Sequence, residues 1–306
     1  MNLSVVIPVY GSEAILPDLA KRLAAVLPDI ATEFEVILVC DDSPDDAWTV
    51  IQGLRETYPW IVGIRLTRNF GQHSALLCGI RRAKFEVVCT MDDDLQHAPE
   101  SIATLLDRLV PGVDVVYGPP KNEKHGVFRD MASRVTKLVL QSAMGAETAR
   151  SVSAFRVFRT DLRRAFKQFH GPQPNLDVLL TWGTRRFAVQ PIEHHERAAG
   201  VSNYTFRALV RHAMNMMTGF STLPLQIASF LGFACTGLGV LILIWVGGRY
   251  ILQGSPVPGF PFLASAIAIF SGAQLFALGI MGEYLARMHF RMMDRPTYVE
   301  SERDGD

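Results

Sequence analysis

Three consecutive acids, Asp92-Asp93-Asp94, follow an apolar run at 85–91. Side chains alternate along an extended segment, so Asp92 and Asp94 point the same way. Two such carboxylates suit a hard divalent cation, Mg2+ or Mn2+, which keeps waters and takes phosphate oxygens as further ligands. A metal held there can grip a nucleotide diphosphate and neutralise a departing phosphate. The competing reading is a solvated acidic turn before the helix that opens at Pro99. A second pair, Asp41-Asp42, follows the apolar run 34–40 and can accept hydrogen bonds from a base or ribose. Capped turns use the same residue types. Arg129 and Ser133 lie four apart on a helix expected over 127–144, after Lys121 and Lys124. They share a face and can hold a phosphate, or form a solvated basic surface. His194-His195, flanked by Glu193 and Glu196, matches no closed zinc spacing.

The elements that must carry these residues alternate. Apolar, β-branched runs at 3–9, 34–40, 60–65, 85–91 and 113–117 read as strands. Helical periodicity fills 13–27, 47–57, 72–82 and 99–109, with Leu16, Leu19, Ala20 and Leu23 on one face of the first. Nearly continuous apolar strands between helices predict a mostly parallel sheet buried on both faces. Ligands of such sheets bind at the carboxyl ends of the strands, where both acidic groups fall. They are therefore expected to converge on one crevice. Strands at 155–158 and 187–192 and a loop at 171–174 follow in a less regular stretch.

Charge is unevenly spread. The 306 residues carry 30 Lys+Arg and 30 Asp+Glu, yet residues 213–282 hold one charge, Arg249. The other 59 charged residues fall on 236 positions, a quarter of them, which is the soluble norm. Two uncharged stretches, 213–248 and 250–282, exceed the ~20 residues that cross a bilayer. The spans are expected near 225–247 and 261–282, joined by a turn at 254–259. Arg197, Arg207 and Arg211 precede the pair and Arg287, Arg291 and Arg295 follow it, which puts both termini on the cytoplasmic side. Phe206, Leu209, Val210, Ala213 and Met217 form an apolar stripe opposite Arg207 and Arg211, so 201–222 reads as an amphipathic interface helix. The organisation is then a cytosolic α/β domain at 1–200, the interface helix, a hairpin at 223–285 and a tail at 286–306. Zero net charge argues against a nucleic-acid partner. Cys40, Cys78, Cys89 and Cys235 show no C-x-x-C spacing and fit a reducing compartment. No leader-like segment opens the sequence, and no Walker or Rossmann glycine loop suggests an NTPase or dehydrogenase.

Taken together, these blocks resemble family 2 glycosyltransferases of GT-A fold, and more narrowly the polyprenyl-phosphate branch. That branch includes dolichol-phosphate mannose synthases, undecaprenyl-phosphate glucosyltransferases and undecaprenyl-phosphate 4-deoxy-4-formamido-L-arabinose transferases. The resemblance runs through Val5-Val-Ile-Pro-Val-Tyr10, Asp41-Asp42-Ser43, Arg68-Asn-Phe-Gly-Gln-His-Ser-Ala75, Asp92-Asp-Asp-Leu-Gln-His-Ala-Pro99 and Phe155-Arg156. The lipid-phosphate branch is marked by Val201-Ser-Asn-Tyr204, Ser221-Thr-Leu-Pro-Leu225 and Gly282-Glu-Tyr284.

The resemblance implies that Asp92 and Asp94 bind Mg2+ or Mn2+, with Gln96 beside the metal. Pro8, Tyr10, Asp41, Asp42 and Arg68 match the nucleotide pocket. Arg129 and Ser133 match the group that holds the lipid phosphate, with Lys121 and Arg156 as further candidates. It further implies an inverting transfer from a nucleotide-sugar, UDP-linked, to undecaprenyl phosphate, in the inner membrane of a bacterium, and it leaves homo-oligomerisation open. Three departures stand out. Gly11-Ser12, with Glu13 one place late, replaces Asn-Glu. Asp41-Asp42-Ser43-Pro44 lacks the usual glycine. Ser151-Val-Ser-Ala-Phe155 lacks a carboxylate. A processive polysaccharide synthase is the alternative enzyme, but the Q-x-x-R-W block and extra spans are missing. A non-catalytic nucleotide-sugar-binding homologue is the alternative of another class.

Overall fold

The computed structural model describes residues 1–121, 151–171, 174–193, 223–253 and 259–303. They belong to two compact units, Met1–Leu209 with Asp294–Asp306, and Val210–Met293.

The first unit is an α/β sandwich. In chain order it contains β1 (Leu3–Val9), α1 (Leu16–Ile30), β2 (Phe34–Cys40), α2 (Ala47–Thr57), β3 (Ile61–Leu66), α3 (Gln72–Arg82) and β4 (Val87–Thr90). A 3-10 turn, Pro99–Ser101, then leads into α4 (Ile102–Arg108) and β5 (Val115–Tyr117). After β6 (Arg156–Arg159) come a second 3-10 segment (Thr160–Phe166), α5 (Leu176–Gly183) and β7 (Phe187–Val189). The last strand, β8 (Glu300–Arg303), returns from the far end of the chain. The eight strands among the described residues form one sheet, ordered β7-β5-β6-β4-β1-β2-β3-β8. Strands β4, β1, β2 and β3 are mutually parallel, whereas β6 and β8 run antiparallel to their neighbours.

Alternation along β1 explains the two layers. Val5, Ile7 and Val9 pack with Leu16, Leu19, Leu23 and Trp48 on one face. Val6 faces the other core, with Ile37, Val39, Ala75, Leu76 and Leu179. Every residue of β1 is buried, as a nearly continuous apolar run requires, and its polar member Ser4 donates to Glu35 at 2.6 Å.

Several boundaries differ from the sequence expectation. The first helix begins at Leu16 rather than 13 because residues 10–13 are committed to loop hydrogen bonds, and Pro17 occupies its first turn. The helix expected over 99–109 divides into the 3-10 turn and α4. The last expected strand ends at Val189, before Pro191, although Ile192 still bridges to Pro120. Helix α5 was not anticipated; Asn175 caps it, accepting the Val178 N–H at 3.0 Å.

The segment expected as a plain tail from 286 first continues a helix and then adds β8 to the edge of β3. The Val299 carbonyl accepts the Thr67 N–H at 2.9 Å. Glu300 pairs with Arg82 at 3.0 Å.

The second unit contains α6 (Leu223–Gln253) and α7 (Phe260–Met292). Both are long and apolar enough to cross a membrane, over Pro224–Val246 and Ile269–His289. Their outer surfaces are apolar: Phe230 is 76% exposed, Phe233 78% and Leu275 69%. Such surfaces are stable only against lipid or protein. The chain is a membrane protein. The two helices meet where Gly239 approaches the Phe270 ring, a small residue letting the helices close up. The expected interface helix at 201–222, the basic helix at 127–144, His194 and His195 lie outside the described residues.

Helix α3 seats against the sheet through Gly79. A Cβ there would run into Val6 and stand 3.2 Å from Val39. The Gly79→Ala variant is expected to push α3 off β1 and β2 and to lose about 1–3 kcal/mol through overpacking. Thermal unfolding of the detergent-solubilised protein measures this, and an unchanged midpoint refutes the close-seating account.

Candidate active site

Strands β1, β2 and β4 run the same way; β1 and β2 end level, and β4 ends three residues earlier in the register. Val9 pairs with Cys40, and Val6 with Thr90. The loops after β1, β2 and β4 therefore share one end of the sheet. A cleft of about 250 Å3 lies there, lined by Pro8, Val9, Tyr10, Asp41, Asn69, Gly71, Gln72 and the triplet Asp92, Asp93 and Asp94. The expected convergence of the two acidic groups is what the fold delivers.

Asp41 is 3% exposed, and its two oxygens accept the N–H groups of Phe70 and Gly71, each at 2.7 Å. These donors belong to the amino-terminal end of α3, where backbone N–H groups lack helical partners and the dipole favours an anion. Gly71 has φ 91°, which a side chain would strain, so its glycine is needed for this turn. Burial pushes the Asp41 carboxyl above its ordinary range, with the two N–H bonds opposing. Asp41 thus builds the wall of the cleft with both oxygens occupied. Asp42 is exposed with φ 51°, so the left-handed position falls on Asp, which tolerates it better than most residues. Arg68 is exposed, its guanidinium 4.5 Å from the Phe70 ring centre. Neither Asp42 nor Arg68 lines the cleft. Pro8 and Tyr10 do, and Tyr10 is 54% exposed.

In the triplet, Asp92 accepts the Gln72 side-chain amide at 2.6 Å. Asp94 is buried, and its carboxylate accepts the Gln96 backbone N–H at 3.1 Å. Leu95 between them has φ 59°, an uncommon conformation for a bulky residue that costs on the order of 1–2 kcal/mol. The bend it makes turns the chain back on Asp94. Asp93 reaches instead to the loop after β1, where it accepts the Tyr10 N–H at 3.1 Å and the Ser12 hydroxyl. Burial foremost raises its carboxyl pKa, against those hydrogen bonds. Among the described residues no group of three His, Cys, Asp or Glu side chains could hold a metal unaided. Two carboxylates beside a cleft still fit Mg2+ or Mn2+, because these ions commonly complete their shells with water and substrate phosphate.

Behind the triplet, the Thr90 hydroxyl donates to the Ala154 carbonyl at 2.8 Å, and the His97 ring stacks on Phe155. The carboxylate-free loop 151–155 is thereby tied to the end of β4. Arg156 is 2% exposed and forms an ion pair with Asp177, which also accepts the Tyr117 hydroxyl at 3.0 Å. Its guanidinium is committed to the interior. Lys121 is exposed, 3.8 Å from Glu193. Arg129 and Ser133 fall outside the described residues.

Asn69 and Gln72 enter the cleft without having been singled out. Both lie in the block that begins at Arg68, so the block was visible but not which members face inward. The inward roles of Ser12 and Asp93 had no local signal.

Residues 4–167 match the model for glycosyl transferase family 2. The chain belongs to that family. It is a glycosyltransferase, and the resemblance read from its sequence motifs holds along its length. The undecaprenyl-phosphate 4-deoxy-4-formamido-L-arabinose transferase of Pectobacterium carotovorum is 32% identical over 300 residues, 97% of this chain and 92% of that protein. The protein of the same name from Photorhabdus laumondii is 31% identical over 308 residues, 100% of this chain and 95% of its own. The fold is also similar to glucosyl-3-phosphoglycerate synthase from Mycobacterium tuberculosis, crystallised with Mn2+, UDP and glucosyl-3-phosphoglycerate. That likeness has a TM-score of 0.51 at 15% identity and covers 71% of this chain and 77% of the other. The catalytic unit has the GT-A fold.

The Asp41 clasp makes a kinetic prediction. In Asp41→Asn one of the two N–H groups loses its acceptor, at a cost of about 1–3 kcal/mol. Donor KM is expected to rise about tenfold or more at neutral pH. Because the Asp41 pKa is raised, its proton returns at a higher pH than for an ordinary aspartate. The acid-side fall of donor kcat/KM should therefore lie above the ordinary aspartate range and be lost in Asp41→Asn; a pH–rate profile of both proteins decides.

Proposed function

We propose that the protein transfers a sugar from a nucleotide-sugar, UDP-linked, to undecaprenyl phosphate at the cytoplasmic face of a bacterial inner membrane. The observation that carries this reading is the gathering of Asp92 and Asp94 with Tyr10, Asn69 and Gly71 around one cleft. The same chain has two helices long enough to span a bilayer. Relatives over the full length are named as undecaprenyl-phosphate sugar transferases.

In this reading the loop after β1 and the start of α3 hold the nucleoside, with Pro8 and Tyr10 against the base. Asp92 and Asp94, with Gln96 beside them, hold Mg2+ or Mn2+. The bound metal offsets charge on the donor diphosphate. Arg129 and Ser133, with Lys121, orient the lipid phosphate. A phosphate oxygen attacks the anomeric carbon as the bond to the diphosphate breaks, so configuration inverts and the nucleoside diphosphate leaves. No carboxylate base is required, since a phosphate monoester is already ionised near pH 7. On this reading the attack does not call for an acid in 151–155. Arg156 acts from within the domain, bracing α5 against β5 and β6.

The path of the chain supports termini on one side of the membrane. It leaves the catalytic unit, runs through α6 and α7, and returns to the same sheet as β8. Two crossings are consistent with that return.

The test is transfer of label from a UDP-sugar to a short polyprenyl phosphate by the full-length protein in detergent. EDTA and Asp94→Ala are each expected to lower the rate at least about a hundredfold, the scale on which removing one stabiliser of transition-state charge acts. A metal-independent rate, or an Asp94→Ala variant at wild-type rate, refutes the metal assignment. Arg129→Ala is expected to raise acceptor KM about tenfold with donor KM unchanged, the loss of a charged hydrogen bond to the lipid phosphate. An effect on donor KM alone assigns Arg129 elsewhere.

A further inference from the structure

We propose that Asp93 and Ser12 form a positioning pair that sets the donor-binding loop, so that the middle acid of the triplet serves the nucleotide and not the metal. The proposal rests on the nucleotide-sugar reading above. Its basis is the direction in which each acid is spent. All three acids line the cleft, but Asp92 accepts from the Gln72 side chain and Asp94 from the Gln96 backbone N–H. Asp93 turns across to β1, and a single oxygen, Oδ2, accepts both the Tyr10 N–H and the Ser12 hydroxyl.

Ser12 is 5% exposed and fixed from two directions. Its carbonyl accepts the N–H groups of Ile15 at 2.9 Å and Leu16 at 3.2 Å, which starts α1. Its hydroxyl is held by Asp93. The rest of this loop is stitched to the loop after β2. The Gly11 N–H donates to Ser43 Oγ at 2.7 Å, Glu13 N–H to Asp45 at 2.9 Å, and Asp46 N–H to Glu13 at 3.1 Å. Residues 10–13 are therefore clamped between the β2 loop and Asp93. The ring of Tyr10, half-exposed at the cleft, is the part of this loop left to meet a ligand.

Release of the Asp93 side of the clamp frees the Tyr10 backbone and the Ser12 hydroxyl together. The expected result is weaker donor binding with metal affinity unchanged. This is the opposite of what a third metal carboxylate would give. Ser12 and Glu13, which depart from the family pattern in sequence, are then parts of one replacement clamp.

The test uses the full-length protein and four variants: Ser12→Ala, Asp93→Ala, Asp93→Asn and the Ser12→Ala/Asp93→Ala double. Binding of UDP and of GDP is titrated in Mn2+ without acceptor, and the tighter nucleotide is followed. Mn2+ affinity is titrated separately by its bound fraction. Each alanine variant is expected to weaken nucleotide binding about tenfold, and the double variant no more than about twofold further, because partners in one contact are not additive. Asp93→Asn, which keeps an accepting oxygen, is expected to recover most of the loss. Mn2+ affinity is expected to stay within about twofold in all four, with an unchanged melting midpoint in Asp93→Asn. The proposal is overturned if Asp93→Ala weakens Mn2+ as much as Asp94→Ala does, if nucleotide binding is unchanged, or if the two alanine effects multiply. Sugar transfer plays no part in these readouts. A protein that binds nucleotide through the pair but transfers nothing to polyprenyl phosphate overturns the acceptor assignment alone.

Discussion

Three parallel strands that run the same way, with their carboxyl ends at one end of the sheet, impose the constraint from which the active site follows. β1, β2 and β4 are held in register by backbone hydrogen bonds, and all three are buried. A slip of one strand would turn its apolar set away from one core and into the other. The two cores, one on each face, therefore fix the register more firmly than any residue of the site could. Once it is fixed, the loops carrying Tyr10, Asp41 and Asp92 have nowhere to go but the same crevice.

Within that crevice most polar groups are held by other parts of the protein. Asp41 closes on the start of α3, Asp93 on the loop after β1, and Gln72 on Asp92. Each bond joins segments far apart in sequence. The result is a site preset by its own framework, with the exposed ring of Tyr10 at its mouth. Such presetting suits a reaction in which charge moves between phosphate groups, since fixed dipoles need no reorganisation as charge develops.

The second unit follows a different physical rule. Its helices expose phenylalanine and leucine over most of their length, and no strong amphipathic face distinguishes an inside from an outside. Helices of about 31 and 33 residues reach roughly 45–50 Å at 1.5 Å per residue. That exceeds a hydrocarbon core of about 30 Å, so their ends extend past it. Near the carboxyl end of α7, Glu283 and Arg287 stand 4.0 Å apart, so opposite charges meet within that segment.

The sequence alone determined the alternation of strands and helices, the buried parallel sheet, the acidic groups at strand ends and the hairpin. All of these arise from local patterns: apolar runs, helical spacing and the absence of charge. The motif blocks also carried the family. It was the tertiary structure that decided how each polar side chain is spent. Asp41 is used on the start of α3, Arg156 is paired in the interior with Asp177, and Asp93 braces a loop some eighty residues earlier in the chain. It also turned a charged, featureless tail into β8, because the open edge of β3 offers backbone groups that only a distant strand can satisfy. Residue type and spacing record what a side chain can do; which partner it meets depends on contacts across the whole fold, and no short stretch of sequence contains them.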